Sequence, residues 1–259
     1  MPDRGNEDEN RRLRNFLETG SEIAGHAAST AIAMLVAGPG GAVVGAATGP
    51  MASRMLRYGA MEFMRRTLSD RQMKRTAGVL GFAAERIGQK VRLGYEPRHD
   101  GFFVGEPGAR SAAEEIAEGV MLAAQQEHEE RKIPFMGSML ANFAFDNSID
   151  RGQANMLIRL AERLSYRQLL LVALFADKQD FELRSEDYTV VERRPYAHWA
   201  VLQEIYDLGQ TNVLSSSRSI TTIIPQRIET QPWGKLLYQL MDLRRMPAKE
   251  LHDLATVLR

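Results

Sequence analysis

Three short stretches of this chain hold residue types that could do chemistry. Arg98-His99-Asp100-Gly101 sets an imidazole beside a carboxylate, the materials of general acid–base catalysis. Glu127-His128-Glu129-Glu130 offers ligand-type side chains for a metal ion. Gly38-Pro39-Gly40-Gly41 has the glycine density of a phosphate loop. Each fails on a physical ground. Adjacent residues rarely converge on one atom, so His99 and Asp100 are a poor pair. Consecutive positions on a helix fan around its axis, so residues 127–130 cannot all face one ion and read as a solvated face. The glycine loop lacks the Lys-Ser/Thr that must follow it. There is no GxSxG, HExxH or Walker-type motif, and the five histidines (His26, His99, His128, His198 and His252) are scattered and read as structural. The absence of cysteine excludes disulfides, thiolate metal sites and Cys nucleophiles. The expectation is a protein without catalytic residues, cofactor or metal.

If the chain does no chemistry, its function must come from surfaces. Its 33 basic and 33 acidic residues cancel, so there is no bulk attraction to nucleic acid or anionic lipid, and any electrostatic role must be local. The first residues mix both signs without an apolar run, unlike a secretory signal, and 1–20 is expected to be a partly disordered tail.

The strongest asymmetry follows. From Ile23 to Ser53 no residue carries a formal charge, with His26 taken as neutral. As one helix this run would be roughly 46 Å long at about 1.5 Å per residue. Pro39 and its flanking glycines break it, which predicts a Gly/Ala-rich helical hairpin with arms near 23–37 and 41–53. Pro50 either weakens the end of the second arm or opens the next helix. Gly41, Gly45 and Gly49 share one helix face, a glycine zipper suited to close packing or oligomerisation, with Val43 and Val44 beside it. Neither arm reaches the ~20 apolar residues of a full span. The hairpin is therefore either an element that is stored in a soluble form and inserts on triggering, or a buried one. From Arg54 to Arg75 there are seven bases (Arg54, Arg57, Arg65, Arg66, Arg71, Lys74, Arg75) against two acids (Glu62, Asp70), interspersed with Met55, Leu56, Met61, Phe63, Met64 and Leu68. Such a basic amphipathic stretch suits an anionic membrane surface.

The remaining chain must position these features, and it reads as helices. One is expected over 76–93, followed by a Gly/Pro-rich loop over 94–110 that forms a domain boundary, with Phe102 and Phe103 plugging a neighbouring core. Ser111-Ala112-Ala113-Glu114 is a capping box that opens a helix to about Lys132. A short apolar helix follows Pro134, another starts at Asp150, and Ser165-Tyr166-Arg167-Gln168 is a second capping box before the apolar run Leu169 to Ala176. After a charged connection over 177–195 comes a helix from Tyr196 to Leu208, with Gly209 as its left-handed cap. Val213-Leu214 and Ile220 to Ile224 predict a small β-hairpin, and further helices start near Thr230 and Pro247. The fold class is mainly α: a helical region over 21–93, the loop, and a helical domain over 111–259 with a winged-helix-like module. The 196–208 helix has no Arg or Lys and carries Glu204 and Asp207, leaving only Gln203 for base contacts. A protein partner or a homo-oligomer is thus favoured over nucleic acid.

Phe135-Met136-Gly137-Ser138-Met139-Leu140-Ala141-Asn142-Phe143-Ala144, then Asp146, then a helix ending Leu164-Ser165-Tyr166-Arg167-Gln168, resembles the abortive-infection alpha family of bacterial phage-resistance proteins. Leu208-Gly209 and Thr230 with Gly234 extend the resemblance, which covers roughly residues 110–245. The spacing from Thr230 to Gly234 and the 177–195 connection are each one residue longer than in that pattern. The resemblance implies phage defence and supplies no catalytic residues. Two readings follow. One is a non-enzymatic defence effector, cytoplasmic or at the inner membrane, acting through the 23–53 hairpin. The other is a soluble adaptor or regulator that uses the winged-helix-like module.

Overall fold

The computed structural model describes residues 50–188 and 195–259. The expected tail and almost all of the Gly/Ala-rich hairpin, including Gly41, Val43, Val44, Gly45 and Gly49, lie outside the described residues. The chain divides into two compact units, the first running to Arg163 and the second starting at Leu164. Both are helical; the only β-pairing among the described residues is an isolated bridge. None of the described helices is long and apolar enough to cross a membrane.

The first unit holds α1 (Pro50–Met64), α2 (Asp70–Arg92), α3 (Ala112–Gln126), α4 (Ile133–Phe143) and α5 (Arg151–Arg163). Pro50 opens α1, a position where its missing N–H costs nothing. The basic stretch is not one element. Ser69 caps α2 through a capping box with Gln72, so the helix expected from residue 76 begins at Asp70; Arg54 and Arg57 fall on α1, Arg65 and Arg66 in the connection, and Arg71, Lys74 and Arg75 on α2. The Ser111–Glu114 box forms as expected, and Asp150 and Gln153 exchange the equivalent bonds before α5.

α4 is the centre of this unit. All eleven of its residues are buried, among them Phe135, Met136, Met139, Leu140 and Phe143. It lies close against α2 because Gly137 and Gly78 carry no side chain. A Cβ on Gly137 would stand 2.6 Å from the Phe82 Cβ and 2.9 Å from the Val79 carbonyl oxygen, and one on Gly78 would stand 2.9 Å from Ile133 Cγ2. α1 packs on α3 and α2, and α5 on α3. The 94–110 loop belongs to this unit; its Phe102 and Phe103 are each 5% exposed, plugging the core as their sequence suggested.

The second unit is built around α6 (Tyr166–Ala176), whose residues Leu169 to Phe175 are all buried. The Ser165–Gln168 capping box opens it. α7 (Tyr196–Gln210), α8 (Pro232–Leu240) and α9 (Ala248–Val257) pack on it. Two local readings are corrected. Gly209 is not the left-handed residue after α7: the helix runs to Gln210 and Asn212 takes φ 55°. Gly209 instead admits the chain at Ser216, whose Cα would lie 3.0 Å from an added Cβ.

The β-hairpin of the winged-helix-like module is not formed. Residues Ile220–Thr222 and Pro225–Arg227 are 3-10 turns, and the pairing is a single antiparallel bridge between Leu214 and Thr230. The Thr222 hydroxyl closes a local turn on the Ser219 backbone, accepting its N–H at 3.1 Å and donating to its carbonyl at 3.1 Å, and Pro225 has no N–H to give to a ladder. β-branched composition alone does not make a strand when the backbone bonds are satisfied locally.

Candidate functional site

The His99–Asp100 neighbourhood is a structural clamp. Arg98, with 4% of its side chain exposed, forks onto the Asp100 carboxylate, donates to the Ile149 carbonyl at 2.9 Å, and lies 4.3 Å over the Phe102 ring. Its main-chain N–H reaches the Ala144 carbonyl at 2.9 Å, so one residue fastens the loop to the end of α4. The hydrogen bond from Arg98 holds the Asp100 carboxyl below the usual carboxylate range. His99 points away, with 68% of its side chain exposed.

Residues 127–130 are not the solvated helix face that was expected. α3 stops at Gln126, and Glu127 turns inward to pair with Lys132; 3% and 1% of their side chains are exposed. Lys132 also donates to the Glu162 carbonyl of α5 at 3.0 Å, and Glu127 accepts the Glu129 N–H at 2.9 Å. Buried charges need this degree of pairing. His128 stays outside, 88% exposed. Among the described residues no three His, Asp or Glu side chains converge on a metal position.

In the second unit the Tyr238 hydroxyl donates to the Asp177 carboxylate, at 2.8 Å and 3.0 Å from its two oxygens. Burial, with the Asp177 carboxylate added, pushes the phenol well above its ordinary range. Such a tyrosine is a donor rather than an anionic nucleophile. It borders a cleft of about 240 Å³ with Phe175, Lys178, Glu229 and Lys235. Lys178 is occupied there by Glu229 and the Ile228 carbonyl. Two histidines of this unit serve packing: His198 is buried with its ring 5.0 Å edge-on to Tyr188, and His252 stacks edge-on with Phe181 while its Nδ1 lies 2.7 Å from the Ala248 carbonyl.

The seven bases of 54–75 separate into two groups. Arg66 is held by Glu62 at 3.1 Å and Glu118 at 2.7 Å, and Arg75 by Glu130 at 3.3 Å. Arg54, Arg57, Arg65, Arg71 and Lys74 are exposed and have no ion pair among the described residues. On α1 the sorting follows the helical period. Ala52, Ser53, Met55, Leu56, Gly59 and Ala60 are buried, while Met51, Arg54, Arg57, Met61 and Arg65 are exposed. At about 100° per residue Met51, Arg54, Arg57 and Met61 share an arc of roughly 120°, and Arg65 follows in the turn just after α1. The arc has no acid, and Arg57 stands one turn before Met61. Met61 is 48% and Met51 41% exposed, and Met73 beside Arg71 and Lys74 is 47% exposed. The sequence pattern identified a basic amphipathic stretch, but not that its apolar members divide, with Met55 and Leu56 inward and Met51 and Met61 among the arginines. Nor could it show that distant acids, Glu118 and Glu130, silence two of the bases.

No family model, curated protein or solved structure significantly matches this chain.

Proposed function

We propose that the protein is a non-enzymatic effector of bacterial defence that engages an anionic membrane surface through the exposed face of α1. The observation that carries this reading is the α1 arc of Met51, Arg54, Arg57 and Met61, continued by Arg65 in the turn that follows, with three free cations, two exposed thioether side chains and no acid. A base close to an anionic leaflet contributes about 1 kcal/mol, so the three arginines favour the surface by roughly a hundredfold. The methionines add apolar contact that a phosphate backbone would not use, which favours lipid over nucleic acid. Attraction of this size is reversible, and firm attachment takes a second signal. The uncharged segment from Ile23 to Ser53 runs directly into α1 and is the candidate for that signal, with Gly41, Gly45 and Gly49 as the surface for self-association. The defence role is supported by the resemblance of residues 110–245 to the abortive-infection alpha family.

Flotation of the full chain with vesicles tests this. Binding to phosphatidylglycerol-containing vesicles is expected, with little binding to pure phosphatidylcholine and a decline as salt rises. Arg54→Glu/Arg57→Glu/Arg65→Glu should remove the binding while leaving the far-UV circular dichroism unchanged. Equal binding to both lipids, or to neither, would sink the reading. Tighter binding to single-stranded or duplex DNA than to anionic vesicles would replace it.

A further inference from the structure

The chain has thirteen methionines and no cysteine, so its sulfur chemistry is thioether chemistry alone. Those methionines whose burial is described divide sharply. Met55, Met121, Met136, Met139, Met241 and Met246 are each at most 4% exposed. Met51, Met61 and Met73 are 41%, 48% and 47% exposed, and Met156 on α5 is 37% exposed. Three of these four exposed sulfurs therefore stand among the free cations of α1 and the start of α2, next to Arg54, Arg57, Arg65, Arg71 and Lys74. Oxidation follows access, and it turns a flexible apolar side chain into a polar one.

We propose that Met51, Met61 and Met73 form an oxidation-sensitive site, at which peroxide-class oxidants convert the thioethers to sulfoxides and weaken the hold of this surface on the membrane. The proposal rests on the membrane reading above. In the step itself, a sulfur lone pair attacks one peroxide oxygen and an S–O bond forms as the O–O bond breaks. The departing hydroxide takes up a proton, giving a sulfoxide and water; sulfur loses two electrons and the peroxide gains them. The charge of the side chain does not change, so the arginines keep their attraction and only the apolar contact is lost. Oxidation thus weakens binding by a graded factor rather than abolishing it. The sulfoxide is reducible by methionine sulfoxide reductases, which makes the change reversible.

Limited hydrogen peroxide treatment of the full chain, followed by peptide mapping and vesicle flotation, tests it. Sulfoxide is expected at residues 51, 61 and 73 before residues 55, 121, 136 and 139. Partitioning onto phosphatidylglycerol-containing vesicles is expected to weaken roughly tenfold, because each sulfoxide resists leaving water, and to recover after reductase treatment. Met51→Leu/Met61→Leu/Met73→Leu should bind before and after peroxide alike, and Met156→Leu should respond like the wild type. If the untreated protein does not float, the membrane reading fails and the inference falls with it. If it floats and the oxidised protein floats equally well, the inference alone fails. It also fails if the buried methionines oxidise first, or if the triple leucine variant is still released by peroxide.

Discussion

Lys132 and Glu127 face each other across the turn between α3 and α4 with almost none of either side chain exposed. Lys132 has a second acceptor in the Glu162 carbonyl, so the pair also ties α5 to this turn. Removing one charge leaves the other buried without its counter-ion, which costs about 3–5 kcal/mol. Lys132→Met should lower the unfolding free energy by that amount in urea titrations. The double variant Lys132→Met/Glu127→Gln should be less destabilised than Lys132→Met alone, because no charge is then stranded. If the two substitutions are simply additive, the pair is not coupled as described.

Gly137→Ala should destabilise the first unit by about 1–3 kcal/mol, since the new methyl meets the α2 backbone at the Val79 carbonyl as well as Phe82. Gly119→Ala makes the opposite test. Its Cβ would sit at 3.4 Å from Ile158 Cδ1, an ordinary contact, within helix α3. Replacing a helical glycine there should stabilise by about 0.5–1 kcal/mol. Thermal melts of both variants would separate the two kinds of glycine.

Tyr238→Phe removes the donor to Asp177 and should cost about 1.5 kcal/mol at neutral pH. The phenol ionises less readily when folded than when unfolded, because burial and the neighbouring carboxylate both oppose the phenolate. Its contribution is therefore fully present below the ordinary tyrosine value near pH 10 and is lost as pH rises through and beyond it. Urea titrations at neutral pH and near pH 11 should show the gap between wild type and variant narrowing at the higher pH. A gap that stays constant would remove the linkage.

Asp100→Asn should show the reverse dependence. The bond from Arg98 depresses the Asp100 value in the folded state, so the stabilisation exists above the unfolded value near 3.9 and disappears as pH falls through the folded one. Wild type should exceed the variant in stability at neutral pH and converge with it in acid. Half of the result can be read independently: Arg98→Lys, which cannot fork onto the carboxylate, should loosen the 94–110 loop and raise its sensitivity to protease.

Local signals in the sequence carried most of the helix starts. Ser111/Glu114, Ser165/Gln168 and the Pro232 and Pro247 starts each satisfy or remove free backbone donors within a few residues, so the information is local. Ser69/Gln72 had the same signature and was hidden inside a run of bases read as one amphipathic stretch. The failures were nonlocal. Nothing near Glu127 indicates that α3 ends at Gln126, because its partner becomes available only when the chain turns to bring Lys132 back. Ile220 to Ile224 has strand composition, yet Ser219 and Thr222 capture the backbone first. The basic surface was half legible: its charge stood in the sequence, while its free and neutralised members were sorted by Glu118 and Glu130 from other helices.

The helix that carries the candidate surface has small side chains along much of its described buried face. Among the α1 residues whose burial is described, Ala52, Ser53, Gly59 and Ala60 are inside together with Met55 and Leu56, whereas every residue of α4 is inside. Small side chains bury little apolar area, so α1 is expected to open locally at a lower free energy than global unfolding. Amide hydrogen exchange would register this as a hierarchy, with α4 and the facing turns of α2 exchanging only through complete unfolding and α1 through a smaller, local opening. A surface mounted on a helix that opens locally can change its own presentation without melting what lies beneath it.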